Sequence, residues 1–134
     1  WEGNWELIEG MPYAMSPAPT FKHQRIASEI NALFVMALKK CKKCNVYEPI
    51  NWKVADDTVL HPDLSIFCQP ITNQNFSTLP PVLIVEILSP STSLKDRREK
   101  FEIYQSQRVK YYIMLDPAFN KIEIFELIDN IYQR

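Results

Sequence analysis

The fold turns on the stretch "PPVLIVEILSPST", residues 80–92. From Val82 to Leu88 every residue is apolar except Glu86. A run of this length and β-branched content, closed by Ser89-Pro90-Ser91, reads as a strand buried on both faces. A carboxylate inside it is desolvated, which is costly unless the group is paired or bound to a cation. The fold that buries this strand must therefore supply Glu86 with a lysine or a metal ion.

Downstream, the spacing predicts a helix over 94–107 with a heavily charged start, then strands in "KYYIMLD" (110–116) and "KIEIFEL" (121–127). Upstream, "VLHPDLSIFC" (59–68) reads as a strand with Pro62 near its start, which makes that end irregular or an edge. "NVYEPINWKV" (45–54) reads as another strand. Thr20 is a good N-cap for an amphipathic helix over 21–42, with Ile26, Ala27, Ile30, Leu33, Phe34, Ala37 and Leu38 on one face. "NWELIEGMPYAMSP" (4–17) reads as a hairpin about Glu9-Gly10. The order is hairpin, helix, three strands, helix, two strands. It predicts an α+β, α/β-like fold: a mixed central sheet flanked by helices, with an N-terminal hairpin.

At 134 residues the chain is read as one domain, 1–134, with both termini open to truncation because it begins at Trp1. A net charge of −1 gives no global basic field, so any nucleic-acid surface must be local. No apolar run approaches the roughly 18 residues of a membrane span, and no signal peptide is visible. These features set a cytoplasmic expectation, with reduced thiols at Cys41, Cys44 and Cys68. Cys41 and Cys44 form C-x-x-C, but a zinc knuckle lacks a clear second ligand pair. The basic run "KKCKK" (39–43) reads as a solvated helix end rather than a DNA track.

Several polar residues stand where apolar ones are expected. On the second predicted helix Lys100 lies in the middle of the arc formed by Phe101, Ile103 and Tyr104, with Asp96 beside it. An i,i+4 pair with Asp96, or a lysine snorkelling past its neighbours, explains this locally. In "HPDLSIF", Pro62 fixes the backbone before Asp63, which a bend at a strand edge also explains. Together the three residues say more. Asp63 and Glu86 sit on strands consecutive in sequence, which usually neighbour each other, and the helix after the second strand packs back on the sheet. Two carboxylates with a nearby lysine make a hard oxygen site for Mg²⁺, suited to phosphodiester hydrolysis. The lysine would orient water or stabilise the developing anion. On this reading Lys100→Met is expected to keep the fold.

At these residues the sequence resembles the PD-(D/E)XK nuclease superfamily. More closely it resembles the Uma-two family of restriction-endonuclease-like proteins, through "WELIEGMPYAMSPAP", "HQRIASEI", "HPDLSIF", "VEILSPST", "DRREKFEIY" and "YYIMLDP". The superfamily pattern puts lysine two residues after the acid, where this chain has Leu88; the resemblance moves that lysine to the following helix, at Lys100. It implies a restriction-endonuclease-like core, a Mg²⁺ (or Mn²⁺) ion held by Asp63, Glu86 and the backbone carbonyl of Ile87, and DNA as substrate. His23, Asp96 and Glu6 are accessory candidates. His23 reads either as a core histidine bonded to a carbonyl or as a cleft residue. Two further classes stay open: a catalytically inactive nuclease-fold binding or regulatory module, and a structural domain whose buried acids pair with Lys100. Cutting both strands needs two active sites, so a homodimer is expected, with an exposed edge near "KIEIFEL" or the hairpin as its surface.

Overall fold

The computed structural model describes residues 5–14, 20–90 and 94–134, with the side chains of Ala14, Lys95 and Asp96 outside that description. In chain order the elements are β1 (Trp5–Ile8), β2 (Met11–Ala14), α1 (Phe21–Ala37), β3 (Asn45–Tyr47), β4 (Trp52–Ala55) and β5 (Thr58–Leu60). They continue with β6 (Leu64–Phe67), β7 (Leu83–Ile87), α2 (Leu94–Ser106), β8 (Tyr111–Asp116), β9 (Lys121–Ile128) and β10 (Ile131–Gln133).

The strands form two sheets. The larger has the order β10-β9-β8-β7-β6-β3, and the smaller β2-β1-β5-β4. In the larger, β7 and β8 run parallel and the other neighbours antiparallel. The parallel pair follows from α2, since a parallel connection needs a crossover of about a dozen residues or more. The expected α+β fold with a mixed sheet is what forms.

Two predicted strands are each split by a proline. The 45–54 stretch breaks around Pro49 into β3 and β4, and the 59–68 stretch breaks at Pro62 into β5 and β6. Proline cannot donate to a ladder, so each break releases the chain from one sheet to the other. The second break leaves Asp63 immediately before β6, at the end of the large sheet.

The sheet is covered on both faces. Ile26, Ala27, Ile30 and Phe34 of α1 pack on Leu64, Leu83, Val85, Ile87, Ile113 and Leu115. On the other face Phe101, Ile103 and Tyr104 of α2 pack with Ile84, Tyr112 and Met114. The alternation of β7 thus sends Val85 and Ile87 to α1, and Ile84 and Glu86 to α2.

Several expectations need correction. Helix α1 ends at Ala37, with the Leu38 amide donating to Phe34 O at 2.9 Å, so the basic run lies in a turn beyond it. β9 is not an edge, because β10 pairs with it through Ile131↔Ile128; the edges of the large sheet are β10 and β3. The thiols are not all reduced either. Cys44 and Cys68 form a disulfide, and Cys41 is free and exposed. The two half-cystines continue the antiparallel register Asn45↔Phe67, which cysteine spacing alone does not reveal. Two of the hairpin turns are of the type that needs positive φ. Glu9 and Gly10 join β1 to β2 at φ 50° and 80°, and Asp129 and Asn130 join β9 to β10 at φ 53° and 65°.

Candidate active site

Glu86 projects from near the C-terminal end of β7, inside the large sheet, and is 8% exposed. Its Oε1 accepts a hydrogen bond from Tyr104 Oη at 2.8 Å. Its Oε2 stands 4.0 Å from Lys100 Nζ. Tyr104 and Lys100 are one helical turn apart on α2, so a single face of the helix reaches both oxygens. Burial pushes the Glu86 carboxyl up to about 8; the Lys100 ammonium opposes this, and Asp63 and Glu6 add to it.

Lys100 is tied from a second direction. Its ammonium is ion-paired with Glu6 Oε1, from β1 of the small sheet. The other oxygen, Glu6 Oε2, accepts from the His61 amide at 2.9 Å. Burial works against the Lys100 charge, but the carboxylates of Glu86 and Glu6 outweigh it and hold the ammonium above the ordinary lysine range.

Asp63 is held on both oxygens. Oδ2 accepts the Ile87 amide at 2.7 Å, and Oδ1 lies 3.3 Å from His23 Nε2. The His23 amide donates to the N-cap Thr20 Oγ1 at 3.1 Å, which places His23 in the first turn of α1, at the mouth of the site rather than in the core. The hydrogen bond to Asp63 raises the His23 pKa against the opposing effect of burial.

The register explains why Ile87 turns to Asp63. Leu64 pairs with Val85, so two steps further Pro62 stands opposite Ile87. Pro62 has no N–H to give the Ile87 carbonyl, and Asp63 takes the Ile87 amide in place of a ladder partner. The same register sets Asp63 across from Glu86. The two acids are thereby brought together where β6 begins.

These donors suit a hard divalent cation. Among the described residues no group of three or more His, Cys, Asp or Glu is assembled to hold a metal ion. Mg²⁺ does not require one, since it keeps several waters and commonly takes one or two carboxylates. Burial, with Asp63 and Glu6 adding to it, raises the Glu86 pKa although the Lys100 ammonium opposes this, so a bound cation would favour the charged carboxylate. The residues therefore fit Mg²⁺ or Mn²⁺.

The Uma2 family, described as "Putative restriction endonuclease", matches residues 2–134. This chain belongs to the Uma2 family. The chain is also similar to individual proteins. "Uncharacterized protein slr1290" from Synechocystis sp. is 31% identical over 129 residues, covering 93% of this chain and 67% of that protein. A solved structure from Anabaena variabilis, described as a "putative nuclease belonging to DUF820", has a TM-score of 0.77 at 22% identity, covering 94% of this chain and 78% of that one. It shows a shared fold.

In this Uma2 chain, Asp63, Glu86, Lys100, Glu6 and His23, all named from sequence, lie in one connected cluster. Asp96 is on α2, and its side chain lies outside the described residues. Sequence reasoning missed Tyr104, because an aromatic in an apolar arc reads as core until its hydroxyl is seen on a buried acid. It also missed the His61 amide, which no side-chain pattern can signal. Among the described residues no helix is long and apolar enough to cross a membrane.

Proposed function

We propose that this Uma2 chain is a Mg²⁺-dependent endonuclease that hydrolyses DNA phosphodiester bonds. The observation that carries the reading is the convergence of Asp63 from the segment before β6, Glu86 from β7 and Lys100 from α2 at one end of the large sheet. Asp63, Glu86 and the Ile87 carbonyl would hold the cation. When bound, Mg²⁺ supplies charge to polarise a phosphoryl oxygen and acidifies water.

The remaining work falls to the chain. Lys100, held as an ammonium by Glu86 and Glu6, has no free pair to act as a base. Its role is electrostatic: it faces the charge that develops on the phosphate and orients the attacking water. His23 and the Ile87 amide hold Asp63 from two sides, which fixes the direction of its lone pairs. Glu6 anchors Lys100 from the small sheet, so the position of the hairpin bears on the geometry of the site.

The test is nicking of supercoiled plasmid in Mg²⁺ by wild type, Asp63→Asn, Glu86→Gln and Lys100→Met. Wild type should nick with Mg²⁺ and not with EDTA, and each variant should lose on the order of 10²-fold or more. A second reading has one observation in its favour: the ion-pair partner that Lys100 holds is Glu6, with Glu86 farther away. In that reading Lys100 is a counter-ion inside an inactive nuclease-fold module, and plasmid stays intact although DNA is retained on a gel.

A further inference from the structure

Glu86 is not free to present both of its oxygens. Oε1 accepts from Tyr104 Oη at 2.8 Å, while Oε2 faces Lys100. The Tyr104 hydroxyl cannot swing away, because its ring is fully buried. It stacks on Trp52 with centroids 6.0 Å apart and meets Tyr112 edge-on at 5.1 Å. Trp52 belongs to the small sheet and Tyr112 to the large one, so the ring is wedged between the two layers. A carboxylate that chelates a cation must turn both oxygens toward it. The Tyr104 bond takes one lone pair of Oε1 and fixes the turn of the carboxyl, which leaves Oε2 as the oxygen turned toward Lys100 and the open site.

We infer that Tyr104 is a positioning residue that restricts Glu86 to one-oxygen coordination and so biases the site toward small octahedral cations over Ca²⁺. The inference rests on the reading of Asp63 and Glu86 as cation ligands. The physical reason is the difference in coordination. Mg²⁺ takes six ligands near 2.0–2.1 Å in near-ideal octahedral geometry, whereas Ca²⁺ takes about 6–8 oxygens at about 2.3–2.6 Å and readily accepts a two-oxygen carboxylate. A glutamate pinned by one oxygen gives Mg²⁺ what it needs and denies Ca²⁺ an additional ligand. The sequence hides this, since Tyr104 lies in the same apolar arc as Phe101 and Ile103.

The experiment measures binding directly on the full chain. Mn²⁺ is followed by electron paramagnetic resonance, with Mg²⁺ and Ca²⁺ as competitors, for wild type, Tyr104→Phe and Glu86→Gln. Tyr104→Phe should strengthen Ca²⁺ relative to Mg²⁺ and Mn²⁺ by about tenfold, the lower end of what partners of metal ligands contribute. Unchanged relative affinities in a folded variant overturn the inference. A second readout needs no variant at Tyr104: the glutamate carboxylate stretches of ¹³C-labelled wild type loaded with Ca²⁺, taken as the change absent from Glu86→Gln. A one-oxygen signature supports the inference and a two-oxygen signature overturns it. Glu86→Gln also separates the two kinds of failure. If it binds all three ions like wild type, the cation-site reading fails and the Tyr104 inference with it. If it loses them while Tyr104→Phe keeps wild-type preferences, only the Tyr104 inference fails.

Discussion

Lys100 is ion-paired with Glu6 of the small sheet and stands 4.0 Å from Glu86 of the large one. One ammonium thus joins the two sheets at the candidate site. This changes what Lys100→Met should do. The sequence alone suggests a tolerated swap in an apolar arc. With Glu6 4% exposed and Glu86 8% exposed, removing the ammonium strips a buried carboxylate of its counter-ion. Lys100→Met should therefore lose roughly 3–5 kcal/mol of stability. The double variant Glu6→Gln with Lys100→Met should recover most of it, and neither should cleave DNA. Chemical denaturation of wild type and the three variants reads the coupling. Additive losses would mean that the pair does not act as a unit.

The buried acid sets a pH dependence in cation-free protein. Glu86 titrates at about 8 in the folded chain, against 4.5 for the ordinary side chain. The folded state therefore binds this proton more tightly than the unfolded state does. Its contribution is complete below about 4.5 and is lost as pH rises through about 8. In EDTA, the melting temperature of wild type relative to Glu86→Gln should fall across that window. A difference that is flat with pH would show that Glu86 is ionised and satisfied in the apo fold.

His23 is predicted to act through Asp63. Its Nε2 lies 3.3 Å from Oδ1, and the Ile87 amide holds the other oxygen. His23→Ala should weaken Mn²⁺ binding by about 10-fold, as expected when a ligand loses a partner that orients it. His23→Gln, whose amide can still donate, should recover part of that. Titration calorimetry with Mn²⁺ measures both, and equal affinities for all three proteins would remove His23 from the site.

The cross-strand disulfide should stabilise the edge of the large sheet. Cys44 and Cys68 are 24 residues apart, and closing a loop of that size is worth about 3.5 kcal/mol in the chain-entropy account. Cys68→Ser, or reduction, should lower the melting temperature by a corresponding amount. Cys41→Ser should not, because Cys41 is exposed and takes no part in the bridge. Thiol counting in denaturant with and without reductant checks the pairing.

What the sequence makes legible follows from local pattern. The continuous apolar run around Glu86, the periodic apolar face of α1 and the charged start of α2 are local patterns, and β7, α1 and α2 form at them, with α1 ending earlier than its pattern suggests. The two predicted strands that break at Pro49 and Pro62 read as continuous because apolar spacing persists through both prolines. Only the pairing reveals that each half joins a different sheet. That division also hides the second layer of the site. Glu6 and Trp52 reach Lys100 and Tyr104 from the small sheet, a contact between elements distant in sequence. Cys44 and Cys68 are hidden for the same reason, since their approach depends on the β3–β6 register.

Asp63 and Glu86 are proposed to share one divalent cation. Thermal unfolding in millimolar Mg²⁺ or Mn²⁺, against EDTA, tests this, because a ligand bound only by the folded state raises the melting temperature by mass action. A cation-dependent rise is expected in wild type and should disappear in Glu86→Gln, with the Gln variant no less stable than wild type in EDTA at neutral pH. A wild type that shows no rise, together with a Gln variant that is simply less stable, would contradict it and leave Glu86 as a structural acid held by Tyr104 and Lys100.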